Sequence, residues 1–223
     1  MSLAASPAPA YAELHCLSNF SFQRGASQPE ELVERAHQLG YRALAITDTC
    51  SVAGVVRAHE RAQRMGIQLL LGAEFAVELP EVCPAQGPDG AFTLVALVHN
   101  LQGWGNLCEF ITRARRAAPK GEYRVCWEDA PWESLTDCEV LLSLPSALNM
   151  EAACAVIKRA KSLFGSDSDA RVWIAVHACM GAGDALALHR LQQMARLTGV
   201  PLVAAGDVRM HVRSRKPLHD ALQ

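Results

Sequence analysis

The 223-residue chain is half hydrophobic and one-fifth charged, with a formal net charge of −2. This length supports one sizeable core, and the near-neutral balance excludes a strongly basic nucleic-acid clamp. No apolar run approaches the ~20 residues of a membrane span, which excludes a transmembrane helix.

Met1 to Pro9 is rich in Ala, Pro and Ser and lacks a charged n-region and an apolar h-region. Residues 1–10 read as a disordered lead-in rather than a signal peptide, so the cytoplasm is the expected location. A strand ends at His15, and a loop runs from Cys16 to Ala26. Ser27-Gln28-Pro29-Glu30 reads as a capping box with proline in the first helical turn. Leu32, Val33, Ala36 and Leu39 give that helix its apolar face, and Gly40 closes it. Strand 43–47 follows, then a helix from about Val52 to Met65 with Gly66 at its end, then strand 68–73 delivering Glu74.

The Pro/Gly-rich stretch 80–90 is a loop. Strand 92–98 precedes a helix running through Asn106 to Arg116, and 117–138 is irregular. Strand 139–144, helix 149–164, strand 172–176, helix 184–198 and strand 202–205 complete the pass. Short apolar runs alternating with helical patterns read as parallel strands buried on both faces. The expectation is a single-domain α/β barrel of about seven strand–helix units. Pro217 to Gln223 reads as the first turns of a helix without a C-cap, so a fragment of a longer protein is expected. The eight cysteines (16, 50, 83, 108, 126, 138, 154, 179) form no CxxC pair and read as free, buried hydrophobes.

Barrels of this class gather their chemistry at the carboxyl ends of the strands. His15, Glu74, His99, His177 and Asp207 each stand at the end of an apolar run, and all are metal-ligand types. Asp48 follows a strand and reads equally as a group orienting a neighbouring ligand or as a turn residue. Ser21 has no adjacent base, which argues against a nucleophile. His37, His59, His189 and His219 fall on helical stretches and read as solvated or half-buried. The basic run Arg209 to Lys216 reads as a solvated surface or an interdomain contact, and no residue is assigned to DNA binding.

His15-Cys16-Leu17-Ser18-Asn19-Phe20-Ser21 resembles the first motif of the PHP (polymerase and histidinol phosphatase) family, His-x-His-x-x-x-Ser. Thr47-Asp48-Thr49 resembles its Thr-Asp-His motif, Gly72-Ala73-Glu74-Phe75 its glutamate motif, and Asp207-Val208-Arg209 its final Asp-x-His. Ser18 to Phe22, Gly25-Ala26-Ser27 and Gly103-Trp104-Gly105-Asn106-Leu107 are similar to the N-terminal PHP domain of bacterial C-family DNA polymerases. Val55-Val56-Arg57-Ala58-His59 and the tail Asp207 to Asp220 are similar to the error-prone branch of that family.

The resemblance implies a distorted (β/α)7 barrel, with residues 11–212 as the PHP domain and 213–223 starting a connection to a polymerase region. It also implies three metals. Carried over, the first site takes His15, Glu74 and Asp207, with its second histidine falling on Leu17. The second takes Glu74, His99 and His177. The third needs ligands at Arg24, Thr49 and Arg209, and arginine is always protonated with no acceptor. The expectation is therefore a vestigial or partial site, taking zinc or manganese if any metal, with Asp48 behind the ligands and no catalytic residue. Arg24 and Arg209 occupy two positions of the lost third metal, and an arginine at 24 or 209 is expected to replace it by salt-bridging Asp48 or Asp207. The implied function is the head domain of an error-prone DNA polymerase serving repair and lesion bypass. On that reading its partners are downstream polymerase domains of the same chain, DNA and other repair or replication proteins through the full-length protein, and no membrane. The alternative is a metal-dependent phosphoesterase or 3′–5′ exonuclease, against which Leu17, Arg24, Thr49 and Arg209 argue.

Overall fold

The computed structural model describes residues 10–79, 91–165, 171–178 and 180–222. The lead-in before Ala10, the loop 80–90, Cys83 and Cys179 lie outside the described residues. Seven strands pair in sequence order: β1 (Ala12–Glu13), β2 (Ala43–Ile46), β3 (Gln68–Val77), β4 (Phe92–Val98), β5 (Cys138–Ser143), β6 (Val172–Val176) and β7 (Leu202–Ala204). Helices α1 (Pro29–Gln38), α2 (Val55–Met65), α3 (Leu101–Arg116), α4 (Met150–Phe164), α5 (Asp184–Thr198) and α6 (Lys216–Leu222) complete the order. Mixed α/β architecture follows, as the alternating pattern predicts.

Strand direction departs from the expectation of an all-parallel barrel. β1–β2, β2–β3, β5–β6 and β6–β7 are parallel, but β4 runs antiparallel to both β3 and β5. A parallel return needs a crossover of a dozen or more residues, usually helical. The antiparallel pairing shows that the chain doubles back between β3 and β4. β3 also runs past Glu74 to Val77, with Glu74 opposite Val95 rather than at a strand tip.

The barrel closes through a seam at β1 and β7. Leu17 N donates to Val208 O (2.8 Å), and Val208 N donates to His15 O (2.9 Å). Where the ladder thins, a side chain replaces it. The buried Glu13 carboxylate accepts from the backbone N–H groups of Gly206 (2.7 Å) and His15 (2.9 Å) and from the Tyr11 hydroxyl (2.9 Å). A Cβ at Gly206 would lie 2.3 Å from Glu13 Oε2, so any larger residue there would push that carboxylate aside. A carboxylate inside a strand is the one sequence signal for this seam, and sequence reasoning passed over it.

Helix α1 begins one residue later than its capping pattern suggested. Gln28 is the N-cap and Glu31 the N3 residue, whose carboxylate accepts from Gln28 N (2.9 Å). Ser27 is buried and meets His211 instead: its Oγ lies 2.8 Å from Nδ1 and accepts from His211 N at 2.9 Å. Arg215 reaches the same Glu31 (2.5 Å), so the segment before α6 is strapped to the start of α1.

Apolar faces of the helices cover the outside of the barrel. Phe75, Phe110, Trp127, Trp132 and Phe164 anchor the larger outer core, and the two tryptophans come from the expected irregular stretch. α1 and α2 pack on Leu44 and Ile46 in a second cluster. Cys16, Cys50, Cys126, Cys138 and Cys154 are buried and free, as is the half-buried Cys108, and burial pushes the Cys138 thiol up to about 12.

Inside the barrel, strand alternation stacks inward-facing side chains in tiers. Glu139, Leu141 and Ser143 climb β5, while Trp173, Ala175 and His177 climb β6 and its end. Val203, Ala205 and Asp207 do the same from β7, and Leu70, Gly72 and Glu74 from β3. The middle tier is the apolar plug Ala45, Val95, Leu97, Leu141, Ala175 and Ala205. It separates a polar mouth from the opposite end of the barrel.

Candidate metal centre

Glu74 sits at the centre of the mouth and is 1% exposed. Its Oε2 meets His15 Nε2 at 2.8 Å, and its Oε1 accepts from Thr49 Oγ1 at 2.8 Å and from Arg24 Nη1. Arg24 Nη1 also donates to Thr49 Oγ1 at 3.0 Å. Burial alone would push the Glu74 carboxyl up. The His15 bond, the Arg24 charge and the Thr49 hydroxyl outweigh it and hold the group below its ordinary value. Asp207 stands beside His15, with Oδ1 4.0 Å from Nε2, and its backbone takes the left-handed φ of 48°. Arg209 clamps that carboxylate through Nη2 (2.8 Å) and Nε (3.4 Å).

The β1–α1 loop and the Thr47–Cys50 turn are laced together to hold these groups. Asp48 is wholly buried and accepts from Ser18 N (2.8 Å), Ser18 Oγ (2.7 Å) and Ser21 Oγ (2.6 Å). Its side chain hydrogen-bonds none of the candidate ligands. It ties the loop that carries Arg24, which is why Arg24 meets Glu74 and not Asp48. Burial pushes the Asp48 carboxyl up, against the pull of its serine donors. Cys50 N donates to Glu74 O (2.8 Å), and Arg115 grips Cys50 O from α3 (3.0 and 3.1 Å).

His177 lies at the same mouth, its ring 5.6 Å from that of His15, with Nδ1 3.4 Å from Ser143 Oγ. Its Nε2 and the Nδ1 of His15 are buried without a hydrogen-bond partner. Burial and the neighbouring His15 lower the His177 pKa, so the ring favours its neutral, ligand-competent form.

His99 is not part of this centre. The reversed direction of β4 carries its carboxyl end to the far side of the barrel, where His99 is exposed and pairs with Glu139 (Nδ1–Oε1, 3.5 Å). The expected set Glu74, His99 and His177 is therefore not assembled. Among the described residues, His15, Glu74 and Asp207 bring their donor atoms within 4.8 Å of one another. That donor set fits one divalent ion. It does not fit a cluster, because Leu17 is buried without a donor, Arg24 lies on Glu74, and Arg209 lies on Asp207.

Residues 13–169 match the family profile described as PHP domain. This chain belongs to the PHP family. It is 45% identical to an error-prone DNA polymerase of Methylococcus capsulatus over 220 residues, covering 99% of this chain and 19% of that protein. An error-prone DNA polymerase of Ralstonia nicotianae is 42% identical over 222 residues, covering 96% of this chain and 20% of that protein. The PHP chain thus spans about a fifth of the length of these curated relatives.

Among solved structures, an amidohydrolase from Chromobacterium violaceum, with bound sulfate and no metal, is similar with a TM-score of 0.64 and 17% identity. The match covers 90% of this chain and 88% of that one. A candidate metal-dependent phosphoesterase from Bifidobacterium adolescentis matches with a TM-score of 0.60 and 17% identity, covering 93% and 90%. Both likenesses concern the fold: a nearly closed PHP-like barrel. No helix among the described residues is long and apolar enough to cross a membrane.

Proposed function

We propose that this PHP domain is a scaffold at the head of an error-prone DNA polymerase and does not itself hydrolyse phosphoesters. DNA synthesis for repair and lesion bypass belongs, on this reading, to downstream domains of the same cytoplasmic polypeptide. Residues 11–212 form the domain, and 213–223 begin the connection to those regions. DNA and other replication or repair proteins are met through the full-length protein.

The observation that carries the proposal is the pairing of both mouth carboxylates with guanidinium groups, Arg24 on Glu74 and Arg209 on Asp207. A bound metal would supply a Lewis acid and an acidified water for phosphoester cleavage. Two arginines supply charge compensation without either function. His15, Glu74 and Asp207 hold at most one zinc or manganese ion, with His177 beside them. Within the nearby basic run, Arg215 pairs with Glu31 and Lys216 with Asp220, so part of its charge is already compensated.

Convergence of His15, Glu74 and Asp207 is what favours the second reading, a metal-dependent phosphoesterase or 3′–5′ exonuclease. One assay separates the two. The purified chain, loaded with zinc or manganese, is offered a phosphomonoester and single-stranded DNA, and its metal content is measured by elemental analysis. The scaffold reading expects at most one equivalent of metal and no turnover. Metal-stimulated turnover that disappears in His15→Ala overturns it.

A further inference from the structure

The end of the barrel opposite the mouth is open. A cavity of about 490 Å³ enters there, lined by Leu14, Leu70, Leu141, Trp173 and Val203, with Leu97, Val98, His99 and Glu139 completing the wall. In a typical α/β barrel this tier is filled by interlocking side chains. Here half of the tier above it is alanine (Ala45, Ala175 and Ala205), and the apolar side chains of Leu14, Leu70, Trp173 and Val203 remain only partly buried. A concave apolar surface of that size falls within the roughly 300–1,000 Å³ range of small-molecule sites.

Its polar groups are few: the Glu139 carboxylate, the Trp173 indole N–H and the His99 imidazole. Glu139 Oε2 accepts the Trp173 indole N–H at 2.9 Å, and Oε1 lies 3.5 Å from His99 Nδ1. A carboxylate has about four lone-pair positions, so these contacts leave acceptor capacity facing the cavity. Among the described residues, no lysine or arginine lines the wall. A half-buried carboxylate next to an indole is the pairing that recognises an organic cation, through charge on one side and the aromatic face on the other.

We propose that this end of the barrel binds a small organic cation with an apolar ring or chain. The body fills the cup formed by Leu14, Leu70, Leu141 and Val203, and the ammonium group lies against Glu139 and Trp173. The middle tier separates this site from the His15–Glu74–Asp207 centre, so the proposal stands apart from the functional reading of the mouth.

Calorimetric titration of the 223-residue chain with phenylbutylammonium, phenylbutanol and phenylbutyrate tests it, since the three share a body and differ in head charge. The cation should bind about tenfold tighter than the alcohol, and the anion weakest. Glu139→Gln retains an acceptor for Trp173 and should remove the advantage of the cation while leaving the alcohol unchanged. Leu70→Trp and, independently, Val203→Phe should block all three by filling the cup, with circular dichroism confirming that each variant is folded. Absence of saturable binding, equal affinity for all three heads, or binding that survives both filled-cup variants overturns the proposal.

Discussion

Replacing Arg24 by methionine keeps most of its aliphatic stem and removes the guanidinium from Glu74. The carboxylate is 1% exposed, whereas the Arg24 side chain is 35% exposed, so the pair is dry on one side and wet on the other. Stripping the partner from a fully buried ion costs about 3–5 kcal/mol. Glu74 retains His15 Nε2 and the Thr49 hydroxyl, so the relevant scale is one hydrogen bond to a charged group, about 1.5–3 kcal/mol. We expect a loss of about 2 kcal/mol, which at about 2–4 °C per kcal/mol for a chain of this size lowers Tm by about 4–8 °C. The assay is thermal unfolding followed by circular dichroism at pH 7, in wild-type and Glu74→Gln backgrounds. With the charge of Glu74 removed, Arg24→Met should cost less than about 0.5 kcal/mol, because the two residues form one coupled unit. A Tm change below about 1 °C, or the same loss in both backgrounds, would refute the idea that the guanidinium stabilises this carboxylate.

Glu31 gives a prediction about pH. Burial pushes its carboxyl up, but the Gln28 N–H and the nearby His211 and Arg215 outweigh that and hold it below its ordinary value. Its contribution is therefore present above the unfolded pKa of about 4.3 and is lost as pH falls through the lower folded value. Glu31→Gln should cost about 1 kcal/mol at pH 7, and the gap from wild type should close in acid, while a gap constant with pH would contradict this account. The third prediction concerns the seam: Gly206→Ala should destabilise by about 2–3 kcal/mol, because its Cβ displaces Glu13 from two backbone donors. An unchanged midpoint in urea would show that the seam does not depend on that carboxylate.

Much of this molecule was legible in the chain itself. Short continuous apolar runs located the strands, and helical spacing with glycine stops located the helices, because both signals are local and lie within a few residues. His15, Glu74 and Asp207 were readable as ligand types at strand ends, and they meet at the mouth. Arg209 on Asp207 likewise follows the expected pairing of an arginine with a mouth carboxylate. Strand direction was not legible, since an apolar run reads the same whichever way it points. The reversal of β4 moved His99 from the expected centre to the opposite end, and alternation along β5 and β6 then placed it with Glu139 and Trp173. Nor could spacing reveal that Asp48 would be claimed by Ser18 and Ser21, leaving Arg24 to Glu74. Which carboxylate a guanidinium reaches depends on how a loop folds back across residues distant in the chain. Local patterns therefore determined the elements and the residue types at the site, and only tertiary structure decided their partners.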